Sequence, residues 1–487
     1  MKWQVIPHYD TDVLIIGAGP AGASCAYHLA AQGIKVHLLD YQSFPRDKVC
    51  GDFVGPVAIQ ELIGMGIHRY EEYEQTYAID KAALYLDGEL MITRPIPQVP
   101  GVPNHGRVIP RMILDNWIVE AAVKKGAILS TGARLQDYQV FENGVLATYK
   151  QGKNQHNIFA RMIVGADGSS STVARILTGS KPQAEDRILA VRAYYKNVRC
   201  VPRQAELYFT SSSFPGYYWF FPTGPDTANV GIGMVQENFP QQDTNLKQLL
   251  EDLIANDPAL KEKIGAGEPI DKIAGWPLAT YNIAHPKVAD RLVLTGDAAG
   301  LINALNGEGI QYALLSGRWA AETISECFRL QKFDAAALMS YKEKIMSDLH
   351  FDMTLSNTVI QFIRNRQFNP FWLKLLEIMV QRAKKDEVYA DIAGGILAGL
   401  KPANEAISVS FISKSIGQGA QTLYQDVRRE VAGGPVNVTM LALKSMLFGM
   451  QTASYLMQHP SDYINWGKGI IQHSVSLAGQ ILKVKTQ

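Results

Sequence analysis

The chain has 487 residues, of which 47% are hydrophobic and 19% are charged. A chain of this length can bury a large core and exceeds one ordinary domain, so we expect two or three domains. The net charge of +1 at pH 7 excludes a global attraction to nucleic acid, which requires cations clustered on one face.

The cysteines are few and scattered, without the spacing of metal ligands or of a disulfide framework. They are Cys25, Cys50, Cys200 and Cys327. We therefore expect no metal site and a reducing, cytoplasmic compartment. Residues 1–11 lack the apolar core of a secretory leader, and Lys444 interrupts the longest apolar run, 439–456, so we expect no membrane-spanning helix.

The first informative stretch runs from Asp12 to Asp40. A short apolar run leads into G-x-G-x-x-G and a helix of small residues, and a second apolar run ends at Asp40. The glycines permit a tight turn, close approach of backbone amides to a pyrophosphate, and close packing of helix on strand. A helix N-terminus also favours an anion, and Asp40 lies about 20 residues further on, where an acceptor for a ribose hydroxyl is expected.

A glycine turn of any α/β protein is the alternative, but strand, helix, strand and acid all occur in register. The predicted dinucleotide-binding residues are Gly17, Gly19, Pro20, Ala21, Gly22 and Asp40.

The next loop, 43–56, is rich in turn residues. Arg46 can neutralise phosphate charge, as can Lys48, although either could be a solvated loop cation. If the loop folds back over a bound dinucleotide, Gly51 permits close backbone approach and Cys50 faces the redox ring. From the residues alone, a buried thiol acting as a small hydrophobe is the better interpretation of Cys50.

Two strand-to-helix junctions follow in the middle of the chain. A helix is predicted at 57–65 and a hairpin at 81–96, turning at Asp87-Gly88. Arg111 begins an amphipathic helix and is a candidate for cofactor phosphates, against a capping or surface arginine. Asp167 lies in a second such turn, where we expect it to cap free amides.

The segment 188–235 consists of short aromatic strands, which predict an antiparallel sheet over the dinucleotide domain. Five consecutive aromatic residues could line an apolar substrate chamber: Tyr217, Tyr218, Trp219, Phe220 and Phe221. The alternative is an ordinary sheet core, which aromatic strands commonly build.

The second informative stretch is 291–324. A strand ends at Gly296-Asp297, and Gly307-Glu-Gly309 opens a long helix from Ile310. Asp297 can accept a hydrogen bond from a polyol hydroxyl. The positive end of the helix can stabilise negative charge on a reduced ring.

Taken in order, these motifs resemble the geranylgeranyl reductase family of the para-hydroxybenzoate hydroxylase type of FAD oxidoreductase. The motifs are GAGPAG, PRDKVCGD, GADG and GDAAGLINALNGEGIQYALLSG, and the resemblance covers roughly residues 10–330. It implies an α/β fold: a Rossmann-like FAD-binding domain with an inserted antiparallel-sheet substrate domain and a helical C-terminal region. The implied boundaries are 1–80, 104–186 and 289–330 for the FAD-binding domain, 81–103 and 187–288 for the sheet domain, and 331–487 for the helical region.

The resemblance also implies roles for the residues. Asp40 and the glycine turn would hold the ADP moiety with Arg46 nearby, Arg111 and Asp297 the pyrophosphate and ribityl region, and Gly307 and Gly309 the edge of the isoalloxazine. Cys50 would lie over that ring. Tyr217, Trp219 and Phe221 match the family motif Y-x-W-x-F-P of the substrate pocket. Two departures concern the substrate side: Thr223 replaces a lysine or arginine, and Ala304 replaces a proline.

Similar proteins include alkene reductases, aromatic monooxygenases and halogenases, so the family does not fix the chemistry. The loop with Cys50 favours a reductase acting on an isoprenoid or related lipid-like substrate. A monooxygenase of an aromatic or polyketide-type compound is the alternative, a halogenase is the weaker one, and a flavoprotein scaffold without turnover is the non-enzyme alternative. Without a second G-x-G-x-x-G unit, NAD(P)H or another reduced donor is expected to bind transiently.

The last third of the chain lies outside the strong resemblance. Residues 351–381 predict apolar helices broken near Pro370, with cations among the aromatic residues. Such a segment could lie on an anionic membrane surface or pack on the core with its cations solvated. Peripheral membrane contact is therefore one alternative, and the oligomeric state is left open.

Overall fold

A computed structural model describes residues 8–180, 186–240, 245–407, 428 and 435–484. Parts of the predicted domains at 1–7, 181–185, 241–244, 408–427, 429–434 and 485–487 lie outside the described residues. The strands are β1 Thr11–Ile16, β2 Val36–Leu39, β3 Phe53–Val54, β4 Tyr77–Ile79, β5 Lys81–Leu86, β6 Glu89–Pro95, β7 Gly106–Val108, β8 Ile128–Ser130, β9 Ala133–Phe141, β10 Gly144–Gln151, β11 Asn154–Gly165, β12 Arg187–Lys196, β13 Gln204–Phe209, β14 Tyr217–Pro222, β15 Thr227–Val235, β16 Glu268–Pro269, β17 Ala274–Ala279, β18 Val288–Ala289 and β19 Leu292–Leu294. The helices are α1 Pro20–Ala31, α2 Pro56–Gly64, α3 Arg111–Lys124, α4 Thr172–Thr178, α5 Leu246–Asn256, α6 Pro258–Ile264, α7 Ile310–Leu330, α8 Met339–Asp348, α9 His350–Ile363, α10 Asn369–Ala383, α11 Glu387–Leu397, α12 Pro435–Gln458 and α13 Pro460–Val484.

The first sheet is the parallel sheet expected from the opening motif. Its order is β18-β19-β11-β1-β2-β8, in which all neighbours are parallel except β18 and β19. Strand β11 is long enough to serve two purposes: one part pairs antiparallel with β10, and its C-terminal end pairs with β1. Strands β1 and β19 are buried on both faces, and their sequences are therefore nearly continuous apolar runs.

Small residues let α1 pack closely between this sheet and α7. A Cβ on Gly22 would lie 1.9 Å from the carbonyl oxygen of Gly17, and a Cβ on Gly317 would lie 2.3 Å from that of Ala21. No larger side chain fits at either position. The small-residue pattern of the sequence therefore sets how closely the two helices approach.

The second sheet is antiparallel apart from one parallel pair, β5 with β13, and has the order β16-β12-β15-β14-β13-β5-β6, with β17 beside β12. The hairpin β5-β6 belongs to it and turns at Asp87 and Gly88, whose φ angles are 47° and 82°. Positive φ at both positions matches the twist of a two-residue hairpin, so the predicted turn is confirmed. The fold class is confirmed, while the domain boundaries given above stay predictions.

Alternation along β14 separates its five aromatic residues into two sets. Tyr218 and Phe220 are fully buried in a core that also contains Leu250 and Leu260 of α5 and α6. Since successive side chains of a strand point to opposite faces, Tyr217, Trp219 and Phe221 lie on the other face. The expectation of a chamber lined by all five residues is therefore wrong for Tyr218 and Phe220, which pack in the core under α5 and α6.

A small third sheet, β3-β7-β4, fixes the end of the loop that carries Cys50. Strand β3 pairs with β7, and the N–H of Ile109 donates to the carbonyl of Asp52 at 2.9 Å. The loop is therefore tied to the backbone immediately after its cysteine.

The C-terminal part is helical, as predicted, and its break near Pro370 is confirmed between α9 and α10. Two cations of this part are buried: Arg364 lies 3.8 Å from Glu237, and Arg382 lies 3.7 Å from Asp386. Solvation of all the cations in this segment was therefore a wrong expectation, because folding brings carboxylates to these two. Within the described chain, no helix combines the length and apolarity needed to cross a bilayer.

Candidate active site

The glycine turn after β1 has the shape of an anion site. Gly17 has φ of 98°, and a Cβ there would lie 2.4 Å from the carbonyl oxygen of Ala166. Gly19 is the N-cap of α1, and no side chain of the described residues caps this helix end. The nearest atom to a Cβ on Gly19 would be Nη2 of Arg46, at 3.5 Å. Free amides and a guanidinium thus converge on one place.

At this turn, Arg46 has an N–H donor that no described residue accepts. Its guanidinium lies 3.7 Å from Asp40 and 3.2 Å from Asp115, but its buried Nε has no hydrogen-bond partner among the described residues. A buried donor without an acceptor is costly, and a pyrophosphate oxygen would remove that cost. The residues present therefore fit the diphosphate of a dinucleotide.

Asp40 is buried, and both of its oxygens already accept backbone hydrogen bonds. The N–H of Ala18 donates to Oδ2 and that of Gln42 to Oδ1, each at 2.9 Å. A carboxylate oxygen has more than one lone pair, so a ribose hydroxyl can still donate to it. Asp40 also holds the glycine turn against β2, which the sequence did not indicate.

Arg111 is neither exposed nor a helix cap. It is 3% exposed, and its Nε and Nη2 donate to the two oxygens of Asp115 at 2.7 and 2.8 Å. These bonds leave Nη1 for another acceptor. Contact of Arg111 with the pyrophosphate or ribityl region stays a prediction.

Asp297 lies between the glycine turn and the aromatic strand. Its Oδ2 accepts from Nζ of Lys48 at 3.2 Å and from Oγ of Ser169 at 3.1 Å. Its Oδ1 would lie 3.6 Å from a Cβ on Gly309, so this oxygen faces the loop that opens α7. Gly296 beside it has φ of 55° and packs against Ala21 of α1, where a Cβ would come within 2.8 Å.

Asp167 caps helix α4, as the sequence predicted. Its Oδ2 accepts from the N–H of Thr172 at 2.6 Å, and its Oδ1 accepts from the hydroxyl of Ser171. Both oxygens therefore serve the helix, and a direct contact of Asp167 with a cofactor stays a prediction.

The loop before α7 brings Gly307 and Gly309 to the aromatic strand. Gly307 has φ of 70°, and a Cβ there would lie 3.1 Å from the hydroxyl of Tyr217. Ile310 begins the helix, but Glu308 shares its positive end, since the N–H of Gln311 donates to Glu308 Oε1 at 2.9 Å. Burial raises the pKa of Glu308, which favours its neutral form and limits the negative charge at this position.

The loop with Cys50 packs against β14 near Phe221, whereas Gly307 packs near Tyr217. A Cβ on Gly51 would lie 3.1 Å from the ring of Phe221 and 3.4 Å from Nε1 of Trp219. Trp219 lies 6.3 Å, between ring centroids, from both Tyr217 and Phe221. These three rings, hereafter the aromatic wall, thus reach from the Cys50 loop to the start of α7. Burial raises the pKa of the Cys50 thiol and keeps it protonated.

The sequence analysis assigned no role to Asp52, Asn229 or Tyr194, which form a polar cluster beside the aromatic wall, on the same face of the sheet. Asp52 is fully buried with φ of 62°, and its Oδ2 accepts from the hydroxyl of Tyr194 and from Nδ2 of Asn229. Nδ2 of Asn229 also donates to the carbonyl of Cys50, and Nε1 of Trp219 donates to Asn229 Oδ1, each at 2.8 Å. Asp52 could have been noticed in the sequence, because it directly follows Cys50-Gly51. Tyr194 of β12 and Asn229 of β15 could be related to it only once the pairing of those strands was known.

A buried arginine stands beside this cluster. Arg192 is 0% exposed, donates to Asp47 at 2.6 Å and to Asp271 at 2.8 Å, and lies 4.4 Å from the ring centroid of Tyr194. Burial raises the pKa of Asp52 to about 7, although the hydrogen bonds from Tyr194 and Asn229 and the charge of Arg192 lower it. The carboxyl group therefore titrates near neutral pH.

The site thus has an anion-binding turn at one end and an aromatic wall with protonated groups at the other. This arrangement belongs to a flavin-dependent oxidoreductase. Residues 10–341 match the FAD-binding domain family, and the chain belongs to that family. The protein is an FAD-dependent oxidoreductase, and the resemblance to geranylgeranyl reductases is confirmed.

Curated relatives agree with this class. A menaquinone reductase of Mycolicibacterium smegmatis is 31% identical over 327 residues, covering 64% of this chain and 76% of the relative. Digeranylgeranylglycerophospholipid reductase 1 of Methanopyrus kandleri is 30% identical over 341 residues, covering 69% and 86%. Conditioned medium factor receptor 1 of Dictyostelium discoideum is 28% identical over 363 residues, covering 72% and 70%.

Solved structures support the fold alone. A geranylgeranyl bacteriochlorophyll reductase-like protein of Thermoplasma acidophilum has a TM-score of 0.66 at 22% identity, covering 86% of this chain and 98% of the other. A flavin-dependent brominase has a TM-score of 0.66 at 21% identity, covering 80% and 93%. The fold is therefore shared by proteins named for different reactions.

Proposed function

We propose that the protein uses FAD to reduce carbon–carbon double bonds of an apolar, isoprenoid or related lipid-like substrate. The observation that carries the proposal is the partly buried Cys50, whose loop packs directly on the aromatic wall and whose thiol pKa is raised by desolvation. Saturating an alkene needs a proton donor at an apolar surface that excludes water. The reductase names of the relatives described above support the same reaction class.

Different residues of the site would hold the different parts of FAD. The glycine turn and Arg46 would hold the diphosphate, Asp40 the ribose, and Asp297 the ribityl chain. Gly307 and Gly309 would flank the ring, which supplies a hydride equivalent when reduced. The electron donor would be NAD(P)H or another reduced donor that binds transiently.

The aromatic wall would bind the substrate and stabilise its charge. Trp219 and Phe221 present π faces, which attract the positive charge that builds up on an alkene carbon during protonation. Cys50 would help to deliver the proton. Tyr217 positions the wall against the loop before α7 through its hydrogen bond to the carbonyl of Asn306.

Hydroxylation with molecular oxygen is the second candidate. The favouring observation is the fold, which is shared with solved proteins that include an aklavinone-11 hydroxylase in complex with FAD and aklavinone. That reaction uses the same apolar walls and requires oxygen, whereas the proposed reduction does not.

Peripheral contact with a membrane would give access to a lipid-like substrate. Helix α10 exposes Phe371, Leu375 and Met379 by 57%, 41% and 41%, one turn apart on a single face. Exposed Lys384 and Lys385 follow at the end of the helix. An apolar stripe beside cations suits the interface of an anionic bilayer.

The reoxidation of the reduced protein under argon tests the proposal. The probe is digeranylgeranylglycerophospholipid in detergent micelles, which carries prenyl double bonds and no quinone. Recovery of the flavin's visible absorbance on mixing supports alkene reduction. Recovery only when air is admitted contradicts it and favours the oxygen-dependent alternative.

A further inference from the structure

We propose that Asp52 is the proton donor of the alkene reduction, with Tyr194 and Asn229 as the residues that position its proton. This inference rests on the proposed function and names the acid that the function requires.

One oxygen of Asp52 is saturated with donors and the other has none. Oδ2 accepts from the hydroxyl of Tyr194 and from the amide of Asn229, while Oδ1 is buried without a partner in the described part of the chain. A protonated carboxyl group must therefore carry its hydrogen on Oδ1, because two donors already face Oδ2. That hydrogen meets no acceptor among the described residues and is therefore available for transfer.

An ionised Asp52 would be penalised in the resting protein. Its Oδ1 would hold charge without a hydrogen-bond donor among the described residues, and burial raises the pKa of the group. After proton transfer, the two hydrogen bonds at Oδ2 stabilise the carboxylate. The group is therefore partly protonated near neutral pH, and its anion is tolerated after the reaction.

The location of Asp52 matches this role. It lies two residues from Cys50, and Asn229 bridges it to Trp219 of the aromatic wall. Its left-handed backbone, with φ of 62°, is rare for a residue with a side chain and is typical of strained functional sites. Glu308 lies in the loop before α7, where its Oε1 accepts from the N–H of Gln311.

The balance of the step is complete. One alkene carbon takes the hydride equivalent that reduced FAD supplies, and the other takes the proton from Oδ1. The π bond breaks, two C–H bonds form, the flavin is oxidised and the alkene is reduced. Asp52 remains as a carboxylate, and solvent returns its proton.

Several charged and titratable groups face Asp52 and affect its titration. The cations are Arg192 of β12 and Arg111 of α3, and the other groups are Tyr194 of β12 and Cys50 of the same loop. Arg192 and Arg111 favour the carboxylate and burial opposes it. The protonated fraction therefore falls as pH rises through about 7.

The test compares Asp52→Asn, Tyr194→Phe and the control Asp47→Asn during substrate-dependent reoxidation under argon, again with digeranylgeranylglycerophospholipid. Asp52→Asn should keep FAD and its reduction by dithionite, yet slow reoxidation about a hundredfold or more and abolish the decline with pH. Tyr194→Phe removes a hydrogen bond that lowers the pKa of Asp52, so its decline should move to higher pH. Asp47→Asn should keep a decline close to that of the parent.

Infrared spectra provide a measurement independent of turnover. Difference spectra between the parent and Asp52→Asn, without substrate, should contain the carbonyl band of a protonated carboxylic acid, lost above the pKa. Absence of that band overturns the inference, as does an Asp52→Asn variant with the parent's rate and pH profile. If the band is present but the parent reduces no alkene, the proposed function fails, and Asp52 is a buried acid without this role.

Discussion

The hydroxyl of Tyr217 donates a hydrogen bond of 2.5 Å to the backbone carbonyl of Asn306. This bond joins the antiparallel sheet to the loop before α7, which belongs to the last of the four family motifs. It sets the position of the aromatic wall relative to Gly307.

Tyr217→Phe should weaken FAD binding and destabilise the protein by about 1 kcal/mol, because it frees the loop before α7. Tyr208→Phe is the matched control, since its hydroxyl donates to buried Glu206 at 2.5 Å on the other face of the same sheet. The control should lose stability but keep its FAD affinity. Equal losses of affinity, measured by flavin fluorescence titration, would contradict a specific role for Tyr217.

Asp297→Ala should lower FAD occupancy by removing the predicted ribityl acceptor and leaving Lys48 without its partner. A charged hydrogen bond contributes roughly 1.5–3 kcal/mol, which corresponds to an affinity loss of about ten- to hundredfold. Ser169→Ala removes a neighbour but keeps the carboxylate, and it should bind FAD nearly as the parent does. Equal flavin absorbance per protein in Asp297→Ala and the parent after desalting would show that Asp297 is not an anchor.

Cys50→Ser should keep FAD but lose much of the alkene reduction, since serine preserves shape without the acidity of a thiol. The decline of its remaining activity with pH should resemble that of the parent, because Asp52 is unchanged. Rates of reoxidation under argon measure both quantities. A Cys50→Ser variant as fast as the parent would make Cys50 a packing residue.

The buried Asp52 should make stability depend on pH in a defined direction. Its pKa in the folded protein, about 7, exceeds its ordinary value of 3.8, so the folded state binds a proton more tightly than the unfolded state. The contribution of Asp52 to the stability of the fold is therefore most favourable at low pH, and it falls as pH rises from 3.8 to about 7. Relative to the parent, Asp52→Asn should gain stability over the same range, by roughly 1.4 kcal/mol for each unit of pKa difference. Urea unfolding at several pH values measures the difference in stability between the parent and Asp52→Asn. If Asp52 titrated normally, this difference would not change with pH over that range.

The triple variant Phe371→Ser, Leu375→Ser, Met379→Ser should lose binding to anionic phospholipid vesicles if α10 lies on a membrane. Flavin content should not change, because these side chains are exposed and far in sequence from the FAD motifs. Replacing exposed Ile128 and Val140 by serine controls for surface apolarity elsewhere. Cosedimentation that is the same for both variants and the parent would exclude α10 as the contact.

Local patterns predicted much of the fold. The glycine spacing, the hairpin at Asp87-Gly88 and the alternation along β14 each follow from short-range sterics and strand periodicity. The sequence predicted an aromatic strand at 217–221, and the family motif singled out Tyr217, Trp219 and Phe221, but only the structure shows that these three share one face. The family motifs then related that face to FAD.

Long-range partners were beyond the reach of the sequence. Asp52 meets Asn229 across 177 residues and Tyr194 across 142, and only strand register brings them together. The same limitation explains Arg364, which folding buries near Glu237 rather than leaving it in solvent. Charges whose partners are distant in sequence look like surface charges until the fold is known.

The product of anaerobic turnover tests the central claim most directly. The reduced protein is mixed with digeranylgeranylglycerophospholipid under argon, and the lipid is analysed by mass spectrometry, with a parallel sample under isotopically labelled oxygen. We predict that the lipid gains two hydrogens for each double bond reduced and that this gain does not require oxygen. An unchanged lipid under argon, together with a labelled oxygen atom in the product of the parallel sample, would contradict the account and make the protein a monooxygenase.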